Sequence, residues 1–149
     1  MRKIKVAQVL NQLSLGGTEK TVGIFAHHLD KNSFEISIFA LSSGGTRYES
    51  LKNKFNTQIL NNDLEELGRR LKENQIDIMH IHRCGYEDPR PIITAKKAGV
   101  PIVVETKIFG ASDYGQSQGM VDLSIFISKM CAIRYMKKEK ISAVELKKK

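Results

Sequence analysis

The sequence has few of the residues, and none of the apolar runs, that mark secreted, membrane-spanning or metal-binding proteins. Cys84 and Cys131 are its only cysteines, and they form no short pairing motif, which predicts free thiols in a reducing compartment. Neither cysteine has the ligand spacing of a zinc site. No apolar stretch approaches the roughly 20 residues that span a bilayer, and the first apolar run is too short for a signal peptide. We expect a cytoplasmic protein that holds no metal.

Positive charge is in excess but unevenly placed. The formal net charge is +8, and residues 129–149 carry eight Lys or Arg against two Glu. This end could contact an anionic membrane surface, nucleic acid or an acidic partner, although a solvated helix face is the simpler interpretation. No aromatic residue lies among the lysines past Lys138, so we expect no nucleic-acid binding and leave peripheral membrane contact open. We predict one domain over residues 1–138 and a basic tail over residues 139–149.

Strand-like and helix-like segments alternate along the chain. Residues that favour helix starts are Thr18, Asn62 or Asp63, and Ser128. The predicted strands are Ile4–Leu10, Glu35–Leu41, Thr57–Leu60, Ile76–His82, Pro101–Glu105 and Leu123–Ile127. Strands separated by helices require right-handed crossovers and a parallel sheet. We therefore predict an α/β fold: a three-layer Rossmann-like domain with a mostly parallel sheet of about six strands and helices on both faces.

The first strand leads into a glycine pair, Gly16-Gly17, just before a predicted helix start. Unpaired N–H groups and the positive end of the helix dipole favour an anion there, so this loop could hold a phosphate or diphosphate. The spacing is neither that of a dinucleotide-binding loop nor that of a phosphate-loop NTPase. A turn that serves only chain geometry is the alternative.

Ligands of open parallel sheets bind beyond the carboxyl ends of the strands. That edge is predicted to gather residues 16–17, 42–45, 61–62, 82–88, 105–110 and 128. His80 and His82 share one side of the fourth strand, because side chains alternate with a period of two. His80 is expected to be a packed core residue. His82, at the strand end, could contact a ligand or act as a base.

Four charged residues at this edge are candidate substrate-binding residues. Glu87 and Asp88 follow the fourth strand, and each could bind substrate hydroxyls or be a solvated loop charge. Glu105 ends the fifth strand and could bind a polar substrate. Lys107 could neutralise a phosphate or simply pair with Glu105. The segment from Gly110 to Gly119 is predicted to be a mobile loop near this site.

Four elements in this order resemble retaining glycosyltransferases of the GT-B fold, family 4 type. They are Gly16-Gly17-Thr18-Glu19, the strand Asp77–His82, the strand Gly99–Thr106, and the strand and helix start Val121–Lys129. The resemblance covers Ile4 to about Lys138 and is to the N-terminal, acceptor-side domain. It implies two Rossmann-like domains facing across a cleft, a nucleotide-sugar as donor substrate, no metal or other cofactor, and retention of anomeric configuration.

The resemblance also implies residue roles. Gly16 and Gly17 would approach the donor diphosphate, and His82 would lie beside the acceptor as a catalytic residue. A histidine that the family often places near the transferred sugar is matched by Lys107. The donor-binding domain, with its paired glutamates, is not in this sequence, so we expect little or no activity from the chain alone and a possible separate chain that carries the donor domain.

Other functions remain open at this point. A non-catalytic module that binds a sugar-phosphate or another anion is the main alternative. A domain that normally faces a partner also exposes apolar surface, so homo-oligomers are possible.

Overall fold

Strands and helices alternate along the chain as the sequence predicts. The computed structural model describes residues 2–83, 88–110, 116–117 and 119–147. Its strands are β1 (Ile4–Gln12), β2 (Phe34–Ser43), β3 (Asn56–Ile59), β4 (Ile78–Arg83), β5 (Ile102–Lys107) and β6 (Leu123–Phe126). Its helices are α1 (Gly17–His28), α2 (Thr46–Lys52), α3 (Leu64–Glu73), α4 (Arg90–Lys97), α5 (Lys129–Glu139) and α6 (Ala143–Leu146).

The six described strands form one parallel sheet in the order β3-β2-β1-β4-β5-β6. This confirms the predicted α/β, Rossmann-like fold. The chain runs outward from β1 to β3 and then returns to the other side of β1 to form β4. The strand order therefore reverses between β1 and β4, and doubly wound sheets bind their ligands at this point.

Two apolar clusters cover the two faces of the sheet, because successive side chains of a strand point to opposite faces. On one face Ala7 and Val9 of β1 pack with residues of α3 and α4. On the other face Leu10 packs with Val22 and Ala26 of α1. Burying each large apolar side chain stabilises the fold by roughly 1.5–3 kcal/mol.

The helix starts show where local sequence decides structure. Asp63 and Ser128 cap α3 and α5, each accepting a backbone N–H with its side-chain oxygen, as predicted. The prediction that Thr18 caps α1 is wrong. The N-cap of α1 is Gly16, which offers no side-chain bond, and Thr18 lies inside the first turn.

Most strand ends differ from the sequence-based bounds by one or two residues. β4 and β5 extend to Arg83 and Lys107, because these two residues stay paired in register. A short helix, α6, lies in the segment predicted as a basic tail, and Ser142 and Glu145 form a capping box at its start. The division of the chain at residue 138 stays a prediction. Of the described helices, none is long and apolar enough to cross a membrane.

Candidate functional site

A cavity of about 460 Å³ opens at the point where the strand order reverses. Residues at the carboxyl ends of β1 and β4 form its floor, Leu10 to Gln12 on one strand and Ile81 to Arg83 on the other. Thr18 and Glu19 of α1 border it directly after the glycine pair. The start of α1 and His82 therefore share one cavity, as the carboxyl-edge rule predicts for this fold. Its size is within the range of small-molecule sites.

The two glycines at the start of α1 have different surroundings. A Cβ atom on Gly16 would meet the carboxylate of Glu19, whereas a Cβ on Gly17 would meet no described atom within 4 Å. Glu19 is buried, and its Oε1 accepts a hydrogen bond from the Ser14 hydroxyl at 2.9 Å. A carboxylate of this chain thus already lies at the helix start, where the sequence indicates an anion site. The side of Gly17 is open.

His80 and His82 stack along β4 beneath Phe25 of α1. Their ring centroids are 4.1 Å apart, and the Phe25 ring meets the edge of His80 at 4.8 Å. Nε2 of His80 lies 2.7 Å from the Thr106 hydroxyl, which makes His80 the packed core residue that the sequence predicts. His82 is also buried, at 2% exposure, and its Nε2 lies 2.6 Å from Oε1 of Gln8.

Both histidines are neutral in the folded protein at physiological pH. Burial lowers the pKa of His80 to about 4. Burial, together with repulsion from His80, lowers the pKa of His82 well below its ordinary value. A neutral imidazole donates from one ring nitrogen and accepts at the other. At this site His82 is therefore a fixed hydrogen-bonding group rather than a strong base.

Glu105 and Lys107 form a closed ion-pair cluster behind the cavity. Glu105 receives Nε of Arg83 at 2.7 Å on one oxygen and Nζ of Lys107 at 2.8 Å on the other. The side chains of Glu105 and Lys107 are 2% and 0% exposed. The ring of Tyr135 lies 5.2 Å from Nζ of Lys107. Of the two alternatives for Lys107, pairing with Glu105 is the arrangement found.

Asp88 lies at the cavity and is held by Arg90. Its carboxylate accepts the Arg90 guanidinium at 2.7 Å and the backbone N–H of the same residue at 2.9 Å. These bonds to Arg90 lower the pKa of Asp88, so the carboxylate is ionised. Glu87 lies outside the described residues, as does most of the predicted loop between Gly110 and Gly119.

The structure brings the start of α1, His82 and Asp88 together at the cavity. Glu105 and Lys107 do not line the cavity, and Glu105 is connected to it through its ion pair with Arg83, which does. Sequence reasoning missed Gln8 and the pairing role of Arg83. A polar residue inside an otherwise apolar strand was the available signal for Gln8. In the described part of the chain, no three His, Cys, Asp or Glu side chains cluster as metal ligands.

Two acidic residues of the recognised motifs lie at the opposite edge of the sheet. Asp77 accepts the backbone N–H of Lys5 at 2.8 Å, and Asp122 accepts that of Val103 at 2.7 Å. Each carboxylate thus ties the start of a neighbouring strand to its own segment. The pKa of Asp77 is lowered, mainly by the hydrogen bond from Arg2. Burial acts to raise the pKa of Asp122, but the hydrogen bonds from Lys96 and Val103 outweigh it, and this pKa is lowered as well. We infer that the two residues support the fold and not the chemistry.

Comparison with known proteins gives the fold. No protein-family model matches the chain, and no curated protein matches its sequence significantly. Among solved structures, it resembles that of a Listeria monocytogenes protein described as a UDP-N-acetylglucosamine 2-epimerase, with a TM-score of 0.59 and 11% identity. The match covers 93% of this chain and 43% of that one. The chain is therefore similar in fold to about half of a GT-B fold enzyme.

Proposed function

We propose that this chain supplies the acceptor-side half of a retaining GT-B glycosyltransferase, which moves a sugar from a nucleotide-sugar to an acceptor. The observation that carries the proposal is the cavity where the start of α1 and the end of β4 meet. Two further facts support it: four ordered sequence motifs resemble this family, and the fold matches half of a protein described as acting on a UDP-sugar. The fold alone fixes no reaction.

In this proposal each predicted residue has a role that follows from its position at or near the cavity. His82 and Asp88 contact the acceptor, since both border the cavity. Gly17, with open space beside it, lets the donor diphosphate approach the start of α1, while Gly16 makes room for Glu19. Glu105 and Lys107 hold Arg83 in place. A second half is needed to complete the cleft, because one open wall neither positions the donor nor excludes water.

The main alternative, a non-catalytic module for a sugar-phosphate or other anion, fits this cavity less well. Glu19 places a carboxylate at the helix start, and both arginines at the cavity are already ion-paired, Arg83 with Glu105 and Arg90 with Asp88. An anion bound by this half alone would have to displace or repel these groups, whereas in the transferase proposal the second half binds the donor phosphates and the cavity receives the acceptor. A neutral acceptor has no such cost.

The test is turnover of UDP- and GDP-sugars by the chain alone and together with a donor-half polypeptide, measured as nucleotide release and sugar transfer. We expect negligible turnover alone, transfer with retained configuration in the pair, and a loss of at least about tenfold for His82→Ala. His27→Ala, which removes an exposed histidine of α1, is the matched control. Epimerised sugar without transfer would contradict transferase activity. Binding of sugar-phosphates without any turnover would favour the module.

A further inference from the structure

Four buried side-chain atoms of the described residues have no hydrogen-bond partner, and two of them belong to Gln8 and His82. These are Nε2 of Gln8 and Nδ1 of His82. Buried polar atoms are nearly always hydrogen-bonded, and an exception calls for a physical cause such as a missing ligand. His82 borders the cavity, whereas the unpartnered atoms of Arg47 and Asn74 belong to residues outside it. Arg47 lines a separate cavity of about 390 Å³ beside α1 and α2, so His82 is the unpartnered group at the cavity where the strand order reverses.

The contact with Gln8 determines which nitrogen of His82 carries the proton. The atom facing Nε2 is the carbonyl oxygen of Gln8, at 2.6 Å, and a carbonyl oxygen only accepts. Nε2 must therefore be protonated and donate. The ring is neutral, so Nδ1 holds a lone pair. Gln8 is buried in the middle of β1, which pairs with β2 on one side and β4 on the other.

A lone pair at Nδ1 selects the chemistry of its partner. It accepts a hydrogen bond from a hydroxyl or amide and repels an anion. The neighbouring polar groups of the cavity include the amides of Asn11 and Asn62 and the hydroxyl of Thr18. Leu41 and Pro91 add apolar surface. Hydroxyl-bonding groups beside apolar walls suit a neutral, polyhydroxylated ligand such as a sugar ring.

We propose that this cavity binds a neutral polyol or sugar whose hydroxyl donates to Nδ1 of His82, and that Gln8 is the positioning residue that holds His82 in the accepting tautomer. The proposal rests on the proposed function, in which the same cavity receives the acceptor. It adds the chemical class of that acceptor and a second residue on which its binding depends.

The tautomer is tested by the ring ¹⁵N signals of His82 in the whole chain at neutral pH. We expect a protonated Nε2 and an unprotonated Nδ1. Gln8→Leu has similar volume and lacks the carbonyl, so the ring should move to a mixture of tautomers. Gln58→Leu, on the edge strand β3, is the matched control and should leave the His82 signals unchanged. A proton on Nδ1 in the unaltered chain would overturn the proposal, whether or not the variant folds.

The ligand class is tested by adding methyl glucoside, methyl mannoside, myo-inositol or inorganic phosphate at millimolar concentrations to the labelled chain. At least one polyol should shift the His82 signals, and phosphate should not. Gln8→Leu should weaken the binding of that polyol about 3- to 10-fold, the range expected for one hydrogen bond. A response to phosphate but to no polyol would overturn the proposal.

The outcomes separate this inference from the proposed function. If polyols bind at His82 but the completed enzyme transfers no sugar, the inference stands and the transferase assignment fails. If sugar is transferred while His82 carries its proton on Nδ1, the function stands and the inference fails.

Discussion

The two faces of the sheet at the end of β4 hold polar groups in opposite states. On one face His82 and Gln8 bond to each other and leave one atom of each unpartnered, and His82 lines the cavity. On the other face an ion-pair cluster uses both oxygens of Glu105, one paired with Arg83 and the other with Lys107. The first pair has hydrogen-bonding capacity left for a ligand, whereas the second cluster is closed. Unused capacity, rather than charge, therefore marks the site in this chain.

The largest effect is expected from breaking the closed cluster. Glu105→Ala leaves the buried ammonium of Lys107 without its carboxylate, and removing one partner of a buried ion pair costs about 3–5 kcal/mol of unfolding free energy. Urea denaturation measures the loss. Glu49→Ala removes an exposed carboxylate paired with Lys52 and is the control, with an expected change below about 1 kcal/mol. Equal losses in both variants would show that the cluster is not a buried scaffold.

As the pH falls, the fold should lose stability through His80 and His82 before the carboxylates become protonated. The pKa of His80 is about 4 in the folded chain against an ordinary 6.5, and that of His82 is also lowered. Below pH 6.5 these two histidines bind protons in the unfolded chain but stay neutral in the folded chain. Stability is therefore full above about pH 6.5 and falls as the pH drops towards 4, by up to about 1.4 kcal/mol per pH unit for each histidine.

A urea-denaturation series between pH 7.5 and pH 5 tests this slope. His80→Gln should reduce the slope of unfolding free energy against pH by up to the contribution of one histidine, since one buried titratable group has been removed. A flat stability profile across that range in the unaltered chain would mean that the two rings are not held neutral.

A smaller effect should separate the two glycines. Gly16→Ala forces the carboxylate of Glu19 away from the helix start and should cost about 1 kcal/mol, whereas Gly17→Ala has space and a better helix former, so it should be neutral or stabilising by up to about 1 kcal/mol. Thermal denaturation of the two variants makes the comparison. Destabilisation by Gly17→Ala of the same size would contradict the open space described beside it.

The sequence predicted the fold well because its signals are local and repeated. Alternating apolar strands and capped helices predict a parallel sheet, and the carboxyl-edge rule then brings Gly16 and His82 to one side. The helix start at Thr18 was predicted wrongly, because a cap assigned from one residue ignores the side chains that pack around it. Helix α1 begins at Gly17, with Gly16 as its N-cap and the carboxylate of Glu19 close to Gly16, and the capping propensity of Thr18 does not report this arrangement.

The chemistry of the site was harder to predict, for a related reason. Glu105 and Lys107 are two residues apart on one strand, a spacing that allows either an open pair of ligand contacts or a closed ion pair. Arg83, from a neighbouring strand, completes the closed form, and strand register is not visible in a local pattern. Gln8 lies 74 residues from His82 in the sequence, so their contact exists only in the folded sheet.

If the cavity between β1 and β4 is the ligand site of this half, the sugar panel should perturb the backbone amides around it. Backbone amide shifts of the ¹⁵N-labelled chain on addition of the panel measure this. We expect shifts concentrated at Asn11, Thr18 and His82, with Asp77 and Asp122 at the opposite edge unmoved. Shifts centred on those two aspartates, with the β1 and β4 ends unchanged, would mean that the ligand binds elsewhere.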